Sequence, residues 1–422
     1  MSKLPPSVSM NKAVEQLLAD GTDTRDLIGE LLRRGTAAIL QAGLEGEVTD
    51  FLGRDHYQRR GAETPTGYRN GYRRRRLKTR AGIVQLEEPR TRDTEVPFES
   101  AILARLDRVE ERLEAMALEM YARGLSMRDI ESTLTDEGGQ PLLSRSSMSR
   151  LSEELYAEYE AFASRDLSGL DVVYLFLDGA YEGVRNYTLG QALLCAWGIL
   201  SDGTKQMIHL EAVGSESRDA WGSFLEGLLN RGMPHPLLVI TDGGKGVIAA
   251  LAKHLPQSRR QRCLVHKMRN IAAKAPRDMK VKLVAEARAV YYAPTRSAAE
   301  TLAEGFISAY ASSYPSVVKC FSEDLEACLT LQDFPMTHHT FIRSTNLIER
   351  AFVEQKRRTK VIPNHINERG AIKLVFAALI RASYAWRRVT MTNLDLAHLR
   401  TLRATMCPDE TESQTISFRP AA

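Results

Sequence analysis

The chain has 422 residues, 43% hydrophobic and 26% charged, and its 57 Lys and Arg against 53 Asp and Glu leave a net charge of +4. That length suits two to four domains, and that composition excludes a fibrous or largely disordered chain. Asp178 interrupts the most apolar stretch, residues 170–200, so no apolar run reaches the roughly 18 residues that a membrane span needs. The opening MSKLPPSVSMNKAVEQLLADG has no apolar signal core, and the five cysteines (Cys195, Cys263, Cys320, Cys328, Cys407) are odd in number and irregularly spaced. Both features suit reduced thiols and a cytoplasmic location.

Residues 11–52 read as helical, because VEQLL, IGELLRR and AAILQAGLEGEVTDFL keep apolar residues three or four apart. Residues 54–92 then hold twelve Arg and Lys against four Asp and Glu, with YRNGYRRRRLKTR at the centre. Such a cluster is an electrostatic footprint for a polyanion, most often nucleic acid, with a solvated surface as the alternative. Arg73, Arg74, Arg75, Arg76 and Lys78 are its candidate DNA contacts. GIVQLEEP alternates apolar and polar residues as a strand does, so Lys78 to Arg92 is expected to form a small basic hairpin.

RVEERLEAMALEMYARG continues as helix, with Gly124 as its stop. Ser126 and Asp129 form a variant capping box for a short helix, MRDIESTLT. After the turn DEGGQP, Ser144 caps RSSMSRLSEELYAEYEAF. Two short helices and a Gly-containing turn resemble a helix-turn-helix, with Arg145 and Arg150 near the start of a recognition helix. A plain three-helix packing unit is the other reading.

From residue 170 the pattern turns to strands: VVYLFLDG, ALLCAWGIL and KQMIHLEAV, with SDGT as a hairpin turn. DAWGSFLEGLLNRG is an amphipathic helix, PLLVITDGG a fourth strand, KGVIAALAKHL a helix, and RRQRCLVHK contains a fifth strand. The order β-β-β-α-β-α-β is that of ribonuclease-H-like α/β folds. Residues 267–335 read as an all-helical insertion, with VKLVAEARAVYYA, SAAETLAEGFISAYASSY and SVVKCFSEDLEACLTL as three helices. STNLIERAFVEQKRRTK and AIKLVFAALIRASYAWRRV follow as helices, and residues 396–422 read as a tail ending in the polar PDETESQTISFRPAA. The expected organisation is a helical and basic DNA-binding segment (1–100), a helix-turn-helix-like region (101–168), a core in two parts (169–266 and 336–395) and the insertion between them.

Asp178 and Asp242 each end a strand, in LFLDG and VITDGG. Carboxylates there project at the carboxyl edge of a parallel sheet, where open α/β sheets build their sites. If the two strands are parallel neighbours, the like charges need a cation between them, and oxygen ligands suit Mg²⁺ or Mn²⁺. A third carboxylate is expected from the helix beyond the insertion. Glu349 falls between Phe352 and Val353 on the helical wheel, with Asn346 one turn earlier, at the edge of the packed face. Glu354 lies beside Arg350 and Arg358 and reads as a solvated ion-pair partner.

These motifs together resemble the Mutator-type transposases of bacterial insertion sequences, in the DDE superfamily. The similarity rests on YRNG (68–71), Pro89-Arg90, MYARGLSMRDI (120–130), LDGAYEGVR (177–185), SESRDAWGSFLEGLLNRGM (215–233), TDGGKGV (241–247), QRCLVHKMRN (261–270) and STNLIER (344–350). It spans roughly residues 20–395, in the expected order, and the extra DEGGQP stretch is its main departure. The resemblance implies an N-terminal DNA-binding region and a ribonuclease-H-like core with a helical insertion. It also implies a catalytic triad of Asp178, Asp242 and Glu349 and two bound Mg²⁺ or Mn²⁺ ions. The resemblance further implies cleavage at the terminal inverted repeats and joining of the freed 3′-hydroxyl to a target DNA. Synapsis of two DNA ends would take at least a homodimer.

The remaining candidates carry two readings each. Cys263 and His266 form a C-x-x-H pair, which would need further ligands such as His338 and His339 to hold zinc; the resemblance makes the pair site-supporting. Trp221 reads as core, or by the resemblance as a site or DNA contact. Arg350, Lys356 and Arg357 flank Glu349 and are expected to meet phosphate. The rival functions are a structure-specific nuclease that cuts without joining and a non-enzymatic DNA-binding regulator.

Overall fold

The computed structural model describes residues 5–19, 24–59, 65–79, 82–136, 140–182, 191–359 and 368–406. Part of DEGGQP, the end of LDGAYEGVR, Cys407 and the polar C-terminal stretch lie outside these residues, as do the side chains of Arg145, Glu354 and Arg358. The chain divides into two units, Met1–Glu154 and Leu155–Ala422.

The first unit starts with helices α1 (Pro6–Ala19) and α2 (Thr24–Leu52), followed by an antiparallel hairpin of β1 (Tyr68–Thr79) and β2 (Gly82–Arg92). The hairpin is longer than the expected Lys78–Arg92 element, because the arginine run is itself strand. Arg73 pairs with Glu88, Arg74 with Glu87 and Arg76 with Gln85 across the ladder. Apolar residues on β2 decide its register. Val84 and Leu86 turn inward with Leu77 and join Leu44 and Leu103 in a small core. Gln41, fully buried on α2, donates to the Glu87 carbonyl at 2.9 Å and accepts from the Glu87 amide at 2.8 Å, which pins the hairpin to the helix.

Helix α3 (Ala101–Ala122) ends at Gly124, whose φ of 97° only glycine adopts freely. Ser126 and Asp129 form the expected reciprocal capping box on α4 (Met127–Thr133). Helix α5 (Arg145–Ser164) begins with Ser144 Oγ accepting from the Ser147 amide at 3.2 Å.

In the second unit, strands β3 (Val172–Glu182), β4 (Gln191–Leu200), β5 (Lys205–Val213), β6 (Leu238–Thr241) and β7 (Arg259–Arg262) form one mixed sheet in the order β5-β4-β3-β6-β7. Helix α6 (Arg218–Asn230) precedes β6, and α7 (Lys245–His254) joins β6 to β7. The strands β3, β4 and β5 pair antiparallel, whereas β3, β6 and β7 run parallel. Leu175, Leu177 and Val239 share a core with Trp221, Phe224, Leu225 and Val247 of the two helices. Tyr174 and Phe176 face the other way, where Phe176 stacks on Trp197 at 4.1 Å and the Tyr174 hydroxyl meets His338 Nδ1 at 2.7 Å.

Beyond β7 come α8 (Leu264–Lys274), α9 (Lys280–Tyr291), α10 (Arg296–Tyr310), α11 (Pro315–Ser322), α12 (Leu325–Leu329), α13 (His339–Ile342), α14 (Asn346–Thr359), α15 (Glu368–Tyr384) and α16 (Asn393–Met406). Two expectations are corrected. SVVKCFSEDLEACLTL is not one helix: Asp324 takes a left-handed φ of 61° between α11 and α12, and Arg260 holds its carboxylate at 2.7 Å. Residues from 396 do not begin a tail, because α16 is capped reciprocally by Thr392 and Asp395 and buries Leu399.

Candidate functional site

Asp178 does not end β3, which runs on to Glu182 in its pairing with β4, but strand register brings it and Asp242 together where the parallel pairing of β3 and β6 stops. Leu177 of β3 faces Thr241 of β6 in the parallel pair, so each aspartate is the next residue after a matched pair. Asp178 shares the face of Tyr174 and Phe176 and is 8% exposed. It accepts from the Gly179 amide at 3.0 Å. Burial pushes its carboxyl up to about 7. His266 counters that rise, and Asp242 and Glu349 add to it. Asp242 is half-buried and bends back to accept from the Gly244 amide at 2.9 Å, at the start of α7.

Glu349 comes from the first turn of α14, whose Ile348, Ala351 and Phe352 are buried and whose Val353 is exposed. The packed face therefore runs through Ile348 rather than Val353. Glu349 Oε2 accepts from Arg269 at 3.2 Å, and Oε1 lies 3.7 Å from His266 Nε2. Oε1 has no hydrogen-bond partner although it is buried.

Cys263 caps α8 and is fully buried. Its Sγ accepts from the Thr345 amide at 3.4 Å and from Thr345 Oγ1 at 3.5 Å. Burial pushes the Cys263 thiol up, but donors from His266 and Thr345 outweigh it and leave the group below its ordinary value. His266 is raised, chiefly by the neighbouring Cys263 and further by Glu349 and Asp178. His338 and His339 do not join this pair: His338 Nδ1 meets the Tyr174 hydroxyl at 2.7 Å, and His339 Nε2 meets the Phe334 carbonyl at 3.0 Å.

Four further residues belong to this neighbourhood and were not singled out from the sequence. Glu216, just before α6, lies against Gly179, where a Cβ would collide with its carboxylate. Burial raises its pKa, and Asp242 raises it further. Arg262 covers Gly243, whose φ is 82°, and its Nε and one terminal nitrogen lack partners. Arg269 stands three residues after His266 on α8, a spacing that shares a helix face and could have marked it. Thr345 precedes the helix that carries Glu349.

Other candidates lie apart from this cluster or beside it. Trp221 is 3% exposed and packs edge-on against Phe224 in the core. Asn346 is half-buried at the start of α14, and Arg350, Lys356 and Arg357 are exposed along it. In the first unit Arg73, Arg74 and Arg76 are exposed. Arg75 pairs with Asp107 and Glu88, and Lys78 with Glu114. Arg150 is held by Glu114 at 2.5 Å and Glu154 at 2.7 Å. Among the described residues, no helix is long and apolar enough to cross a membrane.

Comparison with known proteins gives a consistent relationship. Residues 9–389 match the family described as "Transposase, Mutator family". The transposase for insertion sequence element ISRM5 of Rhizobium meliloti is 33% identical over 84% of this chain and 88% of its own length. That for IS406 of Burkholderia multivorans is 31% identical over 84% of this chain and 95% of its own. That for IS256 in transposon Tn4001 of Staphylococcus aureus is 31% identical, over 81% and 87%.

Proposed function

The chain belongs to the Mutator family of transposases, and from that premise we propose that it binds the terminal inverted repeats of an insertion sequence, cleaves them and joins the freed 3′-ends to target DNA. In this reading the second unit is a ribonuclease-H-like core interrupted by the helices of 267–335, and Asp178, Asp242 and Glu349 are its catalytic carboxylates. The observation that carries it is the convergence of the three acids. Two follow matched residues of parallel neighbours, and the third, on α14, acts electrostatically on the same buried Asp178.

The donor set fits a hard divalent cation. Three carboxylates offer oxygen only, Asp178 is buried among like charges, and Glu349 Oε1 is buried without a partner. Asp178, Asp242 and Glu349 would hold two Mg²⁺ or Mn²⁺ ions, which when bound supply Lewis-acid activation of a water or 3′-hydroxyl and neutralise the leaving oxygen. The protein's own groups do the rest. Arg269 fixes one oxygen of Glu349 at 3.2 Å, and the Gly244 amide fixes one of Asp242 at 2.9 Å, so both carboxylates enter the reaction pre-oriented. Arg350, Lys356 and Arg357 stand on the helix of Glu349 to take the phosphates beside the scissile bond.

In the first unit the exposed Arg73, Arg74 and Arg76 supply phosphate contacts. The α4–α5 pair serves as a helix-turn-helix, with Arg145 and Arg150 reading bases. Arg150 would exchange its two carboxylate partners for DNA. A homodimer would bring two ends together. The test uses a labelled terminal-repeat duplex and a second, pre-cleaved one. Nicking of the first and joining of the second in Mg²⁺, both lost in Asp178→Ala, Asp242→Ala and Glu349→Ala with duplex binding retained, supports the reading. Nicking without joining would make the protein a nuclease.

A further inference from the structure

We propose that Cys263, His266 and Glu349 form a second cation site, selective for zinc-class ions, that competes with the carboxylate cluster for Glu349. The three residues each bring one ligand atom, and these atoms all lie within 4.8 Å of one another. His266 Nε2 and Glu349 Oε1 are 3.7 Å apart. Ligands on one tetrahedral zinc, with bonds of about 2.0–2.3 Å, stand roughly 3.3–3.6 Å apart, so closure on an ion needs only small side-chain shifts.

The surroundings suit a metal. Glu349 Oε1 is buried without a hydrogen bond, and the His266 ring lies against the Cys263 sulfur. Either ring nitrogen of a neutral imidazole is a competent ligand. Thr345 already gives the sulfur two donors, as outer-shell groups do at thiolate sites. Arg269 holds Glu349 Oε2 and leaves Oε1 to the ion. The set of one sulfur, one nitrogen and one oxygen is soft enough to favour Zn²⁺ or Co²⁺ and unsuited to Mg²⁺. Three protein ligands leave a fourth position open.

Binding depends on these three residues alone, whereas its consequence rests on the catalytic reading of Glu349. An ion held here withdraws Oε1 from Asp178 and Asp242, so zinc would inhibit Mg²⁺-dependent cleavage. Binding is therefore tested without DNA and without turnover, by titrating the full-length protein with Co²⁺ and following its absorption. A thiolate-to-cobalt charge-transfer band that saturates at one equivalent is expected. Zn²⁺ should abolish it and excess Mg²⁺ should not. The band should vanish in Cys263→Ser, weaken in affinity by about tenfold or more in Glu349→Gln, and persist in Asp178→Asn, with circular dichroism showing each variant folded. X-ray absorption of the zinc-loaded wild-type protein, which needs no variant, should find one sulfur among nitrogen and oxygen neighbours. No sulfur band in the wild type, a band that survives Cys263→Ser, full affinity in Glu349→Gln, or a zinc shell without sulfur would each overturn the site. Failure of DNA cleavage would leave these spectra unchanged, so the two readings fall separately.

Discussion

Asp178→Asn isolates what burial of one carboxylate costs the metal-free protein. The carboxyl has an ordinary value of 3.8 and is pushed up to about 7 in the fold. Between those limits the folded state keeps a proton that the unfolded chain has lost. Stability from this group is therefore complete below about pH 3.8 and is lost as pH rises to about 7. At about 1.4 kcal/mol per pH decade, the gap amounts to about 4 kcal/mol as an upper value. Hydration of the site edge lowers that to about 2 kcal/mol, or roughly 4–8 °C in the melting temperature of a domain of this size. Melting followed by circular dichroism in EDTA should show the two proteins alike near pH 4 and the Asp178→Asn variant more stable by that margin at pH 8. Mg²⁺ or Mn²⁺ at pH 8 should then raise the wild type more than the variant. A difference independent of pH, or a less stable variant at pH 8, would refute the burial reasoning.

Replacing Arg73, Arg74 and Arg76 with Gln should weaken binding to terminal-repeat and random duplexes alike and flatten the salt dependence by about 0.9 per lost phosphate contact, read by fluorescence anisotropy. Trp221→Ala should cost about 3–5 kcal/mol in urea denaturation because the ring lies in the core, while Trp221→Phe should leave DNA affinity unchanged. Gly243→Ala meets both a φ of 82° and the Arg262 guanidinium, so it should lower stability by about 1 kcal/mol or more and reduce cleavage. Gly169→Ala, with nothing within 4 Å, is its neutral control in the same melts.

Much of the fold was legible because apolar patterning is local. KQMIHLEAV is β5 from end to end, and the β-β-β-α-β-α-β order follows from runs such as VVYLF and LLVI that need burial on both faces. The parallel neighbourhood of β3 and β6 was foreseen only as a condition, since strand order is a tertiary fact. The arginine run hid its strand because β1 buries only Leu77 and its register comes from Val84 and Leu86 on the partner. The break at Asp324 depends on Arg260, 64 residues away, and could not be read from helical spacing. Glu216, Arg262 and Thr345 were missed for the same reason: what marks each is a long-range contact with Gly179, Gly243 or Cys263, not a motif of its own.

The most direct measurement is nicking of a labelled terminal-repeat duplex by the wild-type protein and the three carboxylate variants, in EDTA, Mg²⁺, Mn²⁺, Ca²⁺ and Zn²⁺. Cleavage by the wild type in Mg²⁺ or Mn²⁺ is expected, with none in EDTA, little in Ca²⁺, and none by Asp178→Ala, Asp242→Ala or Glu349→Ala in any ion. Glu354→Ala should cut as the wild type does. Full cleavage with zinc alone, or an active Glu349→Ala beside an inactive Glu354→Ala, would contradict the carboxylate triad.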